Sequence, residues 1–265
     1  MEQEISKVHD WIIMFTGVME KICFSLSDLI VVPTSQIRDF LCEKYGLAPE
    51  RFLVISNGSD PDTCHPMEQE QCRRKLGLDL DGKYLVFVGS FKKWHGIGEI
   101  VNLVPQLIKR IPKLRLLLVG DGDGKLVAEK FVLENGLKDH VIFCGRQDFK
   151  EVPVYINAAD ICLAPYFEVG LNKIGLAPFK IFEYMACGRP VISNSIAGLD
   201  DLFQSCKMGL LLESMNPSDW IEPIEALLND PERMREFGNN GRQAVVDKYN
   251  WRTICEDIAR HISEL

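Results

Sequence analysis

The chain has 265 residues, an apolar fraction of 46% and a formal net charge of −8. That length accommodates one large domain or two small ones with an ordinary core. The acidic balance argues against a nucleic-acid binder that works by neutralising phosphates, and it weakens broad attraction to anionic membranes.

Residues 2–24 are predicted helical. The apolar run from Trp11 to Leu26 contains Glu20 and Lys21, so it is too short and too charged to span a membrane. It reads as an amphipathic helix packed on a core or lying on a surface. Asp28 to Pro33 reads as a buried strand, followed by a helix capped by Thr34 or Ser35 and ending near Gly46. Arg51 to Ser56 is a second strand, closed by a turn at Asn57-Gly58. The sequon Asn57-Gly-Ser59 is read as that turn. Asp60 to Pro66 is loop, and a candidate linker between domains.

A stricter alternation follows. Helices are predicted at Cys72–Leu78, Gly96–Arg110, Lys125–Asn135 and Val152–Ala159. Strands are predicted at Tyr84–Gly89, Leu114–Gly120, Val141–Gly145 and Asp160–Pro165. After a helix starting at Pro178 come a strand at Pro190–Ser193, a short strand at Leu210–Leu212, and helices at Ser218–Leu228, Pro231–Lys248 and Trp251–Ile262. Continuous apolar strands alternating with helices imply a parallel sheet covered on both faces, an α/β class. In such sheets ligands bind beyond the carboxyl ends of the strands, which directs attention to the loops there.

The loop Gly89-Ser-Phe-Lys-Lys-Trp-His-Gly96 leads into a helix, and bare N–H groups there could hold a diphosphate. Lys92, Lys93 and His95 add positive or donor character. Asp121-Gly-Asp123 admits a metal, but capping of the next helix by Asp123 is the preferred reading. Arg146 follows a strand and a glycine, so it could approach a base or phosphate or simply be a surface arginine. Glu168, with Gly170 and Asn172, lies in a loop that could meet a polar ligand or be a solvated connection. The nine cysteines form no C-x-x-C pair and no His/Cys zinc cluster, so they read as free thiols in a reducing compartment. No G-x-S-x-G or G-x-x-x-x-G-K-[ST] element is present.

The stretch Gly175 to Asn194 reads as a helix entering a buried strand. Pro178 is placed at the first helical position and Gly188 at its end. Lys180 and Glu183 share one face of an otherwise apolar helix. They are either a surface ion pair or the two ends of a polyol-phosphate ligand's site, Glu183 accepting from ribose hydroxyls and Lys180 facing a phosphate.

Taken together, these runs resemble the donor-binding half of a GT-B glycosyltransferase of the large retaining family 4. The matching segments are Val31-Val-Pro-Thr-Ser35, Val54-Ile-Ser-Asn-Gly58, Val88-Gly-Ser-Phe with His95-Gly96, Leu118-Val-Gly-Asp-Gly122, Phe143-Cys-Gly145 and, most specifically, Lys180-Ile-Phe-Glu-Tyr-Met-Ala-Cys-Gly-Arg-Pro-Val-Ile192. The resemblance implies a Rossmann-like sheet and a nucleotide-sugar donor held by Gly89, Ser90, Lys93, His95, Gly96, Arg146, Lys180 and Glu183. Glu183 would hold the ribose, Lys180 and the Gly89–Ser90 backbone the diphosphate, and Arg146 would lie near the base. No metal or other cofactor is expected.

The resemblance divides the chain into 1–57 as a remnant of the acceptor-side domain, 58–250 as the donor domain, and 251–265 as a helix returning to the first. Catalytic groups would lie on the half largely missing here. The acceptor would be a sugar or lipid-linked molecule, with a separate acceptor-domain subunit as one way to complete the site. The chain would be cytoplasmic, with peripheral membrane contact left open. Two departures stand out: Gly175 occupies the place of a frequent first glutamate, and His95 that of a lysine. A nucleotide-binding module without transfer activity, and a folded paralogue without ligand, are the alternative readings.

Overall fold

A computed structural model of the protein describes residues 15–167 and 175–264. The expectations for Glu168, Gly170, Asn172 and the helix before residue 15 lie outside the described residues. Residues 15–26 form α1. Its Val18, Met19, Ile22 and Leu26 are exposed, whereas its carboxyl end is fastened inward by Arg51 Nη2, which donates to the Phe24 carbonyl at 2.6 Å.

Strand β1 (Ile30–Val32), helix α2 (Ser35–Tyr45) and strand β2 (Phe52–Val54) follow. Thr34 caps α2 by accepting from the Ile37 N–H, and Gly46 closes it in a left-handed conformation. β1 and β2 make a two-stranded parallel sheet. The 60–66 loop is tied down: Arg242 Nη1 donates to the carbonyls of Pro61 and Cys64, each at 3.1 Å.

The main body comprises α3 (Gln69–Lys75), β3 (Lys83–Val88), α4 (Ile97–Arg110), β4 (Leu114–Val119), α5 (Lys125–Glu134), β5 (Val141–Gly145), α6 (Val152–Ala158), β6 (Ile161–Ala164), α7 (Phe179–Ala186), β7 (Val191–Asn194), α8 (Asp200–Cys206), β8 (Gly209–Leu212), α9 (Ile221–Leu228), α10 (Pro231–Asp247) and α11 (Trp251–Ser263). Its six strands form one parallel sheet in the order β5-β4-β3-β6-β7-β8.

Side chains alternate across the strands, and both faces are apolar, so the strands read as unbroken hydrophobic runs. Val86, Val119 and Cys162 face a core closed by Ile156, Phe182, Met185 and Val245 from α6, α7 and α10. Leu85, Phe87, Leu118 and Leu163 face a second core closed by Ile100, Val132 and Ile224 from α4, α5 and α9. Chain order runs outward from β3 to β5 and then returns to β6 beside β3. The strand order therefore reverses between β3 and β6, where open α/β sheets form their crevice.

Three local expectations are corrected. Pro178 caps α7 instead of occupying its first turn: its backbone is extended and its carbonyl accepts from the Ile181 N–H at 3.2 Å. Asp123 does not cap α5, whose first residue follows Gly124 with no side-chain cap. Asp121 instead accepts from the Gly122 N–H at 2.8 Å. Helix α8 has no counterpart in the sequence reading. At seven residues it is too short to show a period, and only the acidic pair Asp200–Asp201 in its first turn marks its start.

Candidate functional site

The carboxyl ends of β3 and β6 receive the amino end of α7, and one side chain fixes that meeting. Tyr184 OH accepts from the Val88 N–H at 2.8 Å and donates to the Leu163 carbonyl at 3.3 Å, pinning α7 to both strands. One turn earlier on the same helix, Lys180 is driven into the sheet's upper edge and is only 8% exposed. Its Nζ stands 4.0 Å from the centroid of the Phe87 ring and 5.5 Å from that of Tyr166. A Cβ placed on Gly89 would sit 3.2 Å from that Nζ, and Gly89 has φ +141°. Glycine is thus needed there both for its backbone conformation and to leave the space above the ammonium open.

Lys180 Nζ has no hydrogen-bond partner among the described residues, and no ion pair joins it to Glu183. The surface-pair reading is therefore wrong: Lys180 is buried and Glu183 half-buried. Burial pushes the Lys180 pKa down to about 7, partly opposed by the Glu183 carboxylate. Glu183 is shifted up by burial and held back by Lys180. A depression of that size means the charged form of Lys180 is disfavoured by about 5 kcal/mol. An anion delivered beside it would remove much of that penalty.

His95 packs against the same two rings, 7% exposed, with its ring 5.9 Å from Phe87 and 6.0 Å from Tyr166. Its Nδ1 bonds the Ser90 carbonyl. A carbonyl only accepts, so Nδ1 carries the proton and Nε2 remains an acceptor. Burial, reinforced by the nearby Lys180 charge, lowers its pKa to about 4, so it is neutral at neutral pH. Gly96 closes the turn at φ +64°, and a Cβ there would strike Phe167 at 2.6 Å.

The expected residues are not all gathered. Gly89, Ser90 and Arg146 line one cleft of about 420 Å³ with Gly120 and Asp121. Gly89's N–H is already engaged by the Val119 carbonyl at 3.0 Å, so the diphosphate assignment to both backbone groups needs correcting. Ser90's N–H makes no bond to another described residue and is the donor left for a ligand. Lys93 is exposed in the 93–95 turn and is not brought to Lys180. Gly175 has φ +77°, and a Cβ there would meet Gln36 at 2.9 Å, so a glutamate has no room at that place. Sequence reading missed Phe87, one of the rings that flank Lys180, because it reads simply as a strand residue. Tyr166, the other, stands at the start of the 166–175 loop, which the strand rule marks as a place for a ligand, but its contact with Lys180 follows only once β6 is set beside β3.

Residues 68–244, about two thirds of the chain, match the family described as Glycosyl transferases group 1. A D-inositol 3-phosphate glycosyltransferase of Corynebacterium aurimucosum is 28% identical over 237 residues, covering 85% of this chain and 54% of that protein. A second, from Catenulispora acidiphila, is 26% identical over 234 residues, covering 85% and 53%. The chain thus spans about half the length of the curated relatives it matches. Among solved structures, sucrose-phosphate synthase from Thermosynechococcus elongatus superposes with a TM-score of 0.77 at 27% identity, over 94% of this chain and 61% of that one. HepE of Anabaena, solved with UDP and glucose, shares the fold at a TM-score of 0.77 and 20% identity, over 90% and 63%. Among the described residues no helix is long and apolar enough to cross a membrane.

Proposed function

The chain belongs to the group 1 glycosyl transferases, and on that premise we propose that it holds the diphosphate of a nucleotide-sugar donor between Lys180 and the Ser90 N–H. One observation carries the reading: a buried ammonium with no hydrogen-bond partner among the described residues, beneath a glycine that keeps the space above it open. An anionic ligand satisfies that group, and in transfer the same ammonium stabilises charge building on the departing diphosphate. Glu183 accepts from ribose hydroxyls and Arg146 stands by the base. The reading needs no metal, because Lys180 supplies the positive charge.

Transfer would proceed with retention, the departing diphosphate helping to activate an acceptor hydroxyl. Residues 58–250 would form the donor domain, 1–57 would belong to the acceptor side, and 251–265 would return to it. The acceptor and the catalytic groups facing it would belong to the acceptor side.

Calorimetric titration with UDP, GDP and ADP tests the site. One nucleoside diphosphate is expected to bind, Lys180→Met to weaken it at least tenfold, and Glu183→Ala to weaken it by about 1–3 kcal/mol. Unchanged affinity in Lys180→Met, or no binding of any of the three to the folded chain, overturns the reading.

A further inference from the structure

A second cavity, of about 370 Å³, opens at the opposite edge of the sheet, where the turn Cys187–Pro190 enters β7 and Asp160 precedes β6. Three arginines line it, Arg189 from the turn and Arg235 and Arg242 from α10. Arg242 is held in place, its Nη1 donating to the carbonyls of Pro61, Cys64 and Ala186 at 3.0–3.1 Å. Arg189 is not held. Its guanidinium makes no hydrogen bond or ion pair with a described residue, and its Nε is fully buried without a partner. An arginine cannot shed its proton to escape that situation.

The one carboxylate lining the cavity is already engaged. Asp160 accepts from Arg73 Nη2 at 3.0 Å, from the Tyr84 N–H at 2.7 Å and from Gln69 Nε2 at 3.5 Å. Arg73 balances its charge, so the cavity keeps an excess of positive charge. The walls are firm: α10 lies so close to the turn that a Cβ on Gly238 would meet the Gly188 carbonyl at 2.1 Å. A half-buried guanidinium whose Nε is shut off from water with no partner among the described residues, in a preformed concave site whose carboxylate is committed elsewhere, is the arrangement that recruits an anion.

We propose that this cavity binds a small oxyanion of phosphate charge and size, free or as a phosphate ester, through Arg189 with Arg235 and Arg242. It is separate from Lys180 and from the Gly89–Arg146 cleft, and does not depend on what they bind.

The test is calorimetry with inorganic phosphate, and in parallel with a hexose phosphate, at constant ionic strength held with chloride. Four chains are compared: the wild type, Arg189→Met, Arg235→Ala and Lys180→Met. The arginine-dependent phosphate site is expected to persist in Lys180→Met, whatever phosphate Lys180 itself takes up in the wild type, with Arg189→Met weakening that site at least tenfold and Arg235→Ala several-fold. Tighter binding of the hexose phosphate with the same arginine dependence supports a phosphate ester as the occupant; equal binding supports the free ion. Arg235 is exposed, so its variant keeps the test open should Arg189→Met fail to fold. Phosphate that binds both arginine variants as well as the wild type, that is lost only in Lys180→Met, or that does not bind the wild type at all overturns the proposal.

Discussion

Lys180 sits where the fold works against its charge. The unfolded chain keeps this ammonium protonated to its ordinary pKa of 10.5, and the folded, ligand-free chain releases the proton near 7. Between those values the unfolded state binds more protons, so this residue's share of stability rises with pH across that window. The slope is at most about 1.4 kcal/mol per pH unit. Lys180→Met removes the burden, so its stability advantage over the wild type is expected to be full at and below about pH 7 and to shrink as the pH rises towards 10.5. Urea denaturation of both chains at a series of pH values measures this. A difference that stays constant with pH would show that Lys180 does not change its charge on unfolding in that range. The same residue also shows why motif and environment have to be read together. The spacing of Lys180 and Glu183 is legible in the sequence, but their separation into a buried ammonium and a half-buried carboxylate follows only from where Tyr184 pins the helix.

At the scale of elements, α10 packs against α7 and the turn that follows it, and glycines permit the close approach. A Cβ on Gly238 would stand 2.1 Å from the Gly188 carbonyl, a backbone atom that cannot swing aside. Gly238→Ala is therefore expected to destabilise the protein by about 2–3 kcal/mol, the scale of overpacking in a rigid core. Gly98, inside α4, has nothing within 4 Å of its would-be Cβ. There an alanine restricts the unfolded chain at no steric cost, and Gly98→Ala is expected to stabilise by about 0.5–1 kcal/mol. Thermal or denaturant unfolding of the two variants checks both signs. A neutral Gly238→Ala would mean the two helices have room to separate.

At the scale of the whole molecule, two sheets of unequal strength share the chain. The six-stranded sheet is covered on both faces, whereas the β1–β2 sheet has two strands among the described residues, and a two-stranded sheet is marginal by itself. It is braced from outside: Ser59 bridges to Asn250, and Gly58 lies against the Tyr249 carbonyl and Ile254 of α11. Native-state hydrogen exchange is expected to show Ile30–Val32 and Phe52–Val54 opening at lower free energy than β3 and β4. Equal protection in the two sheets would mean that they unfold as one unit.

The sequence alone made legible the alternation of elements, the parallel α/β class and the loops where a ligand belongs, because those depend on local periodicity and on turn residues such as Gly46 and Gly96. It also singled out Lys180, Glu183, Gly89, Ser90 and Arg146 by type and order. The tertiary structure decided what those residues can do. It spent the Gly89 N–H on Val119, left the Ser90 N–H open, turned Lys93 to solvent and denied Gly175 any side chain. It brought Phe87 and Tyr166, 79 positions apart in the numbering, to the same ammonium. It gathered Arg189, Arg235 and Arg242 around a cavity no motif marks. These outcomes rest on burial and on contacts between distant segments, and neither exists until the strand order reverses between β3 and β6 and the helices close over both faces of the sheet.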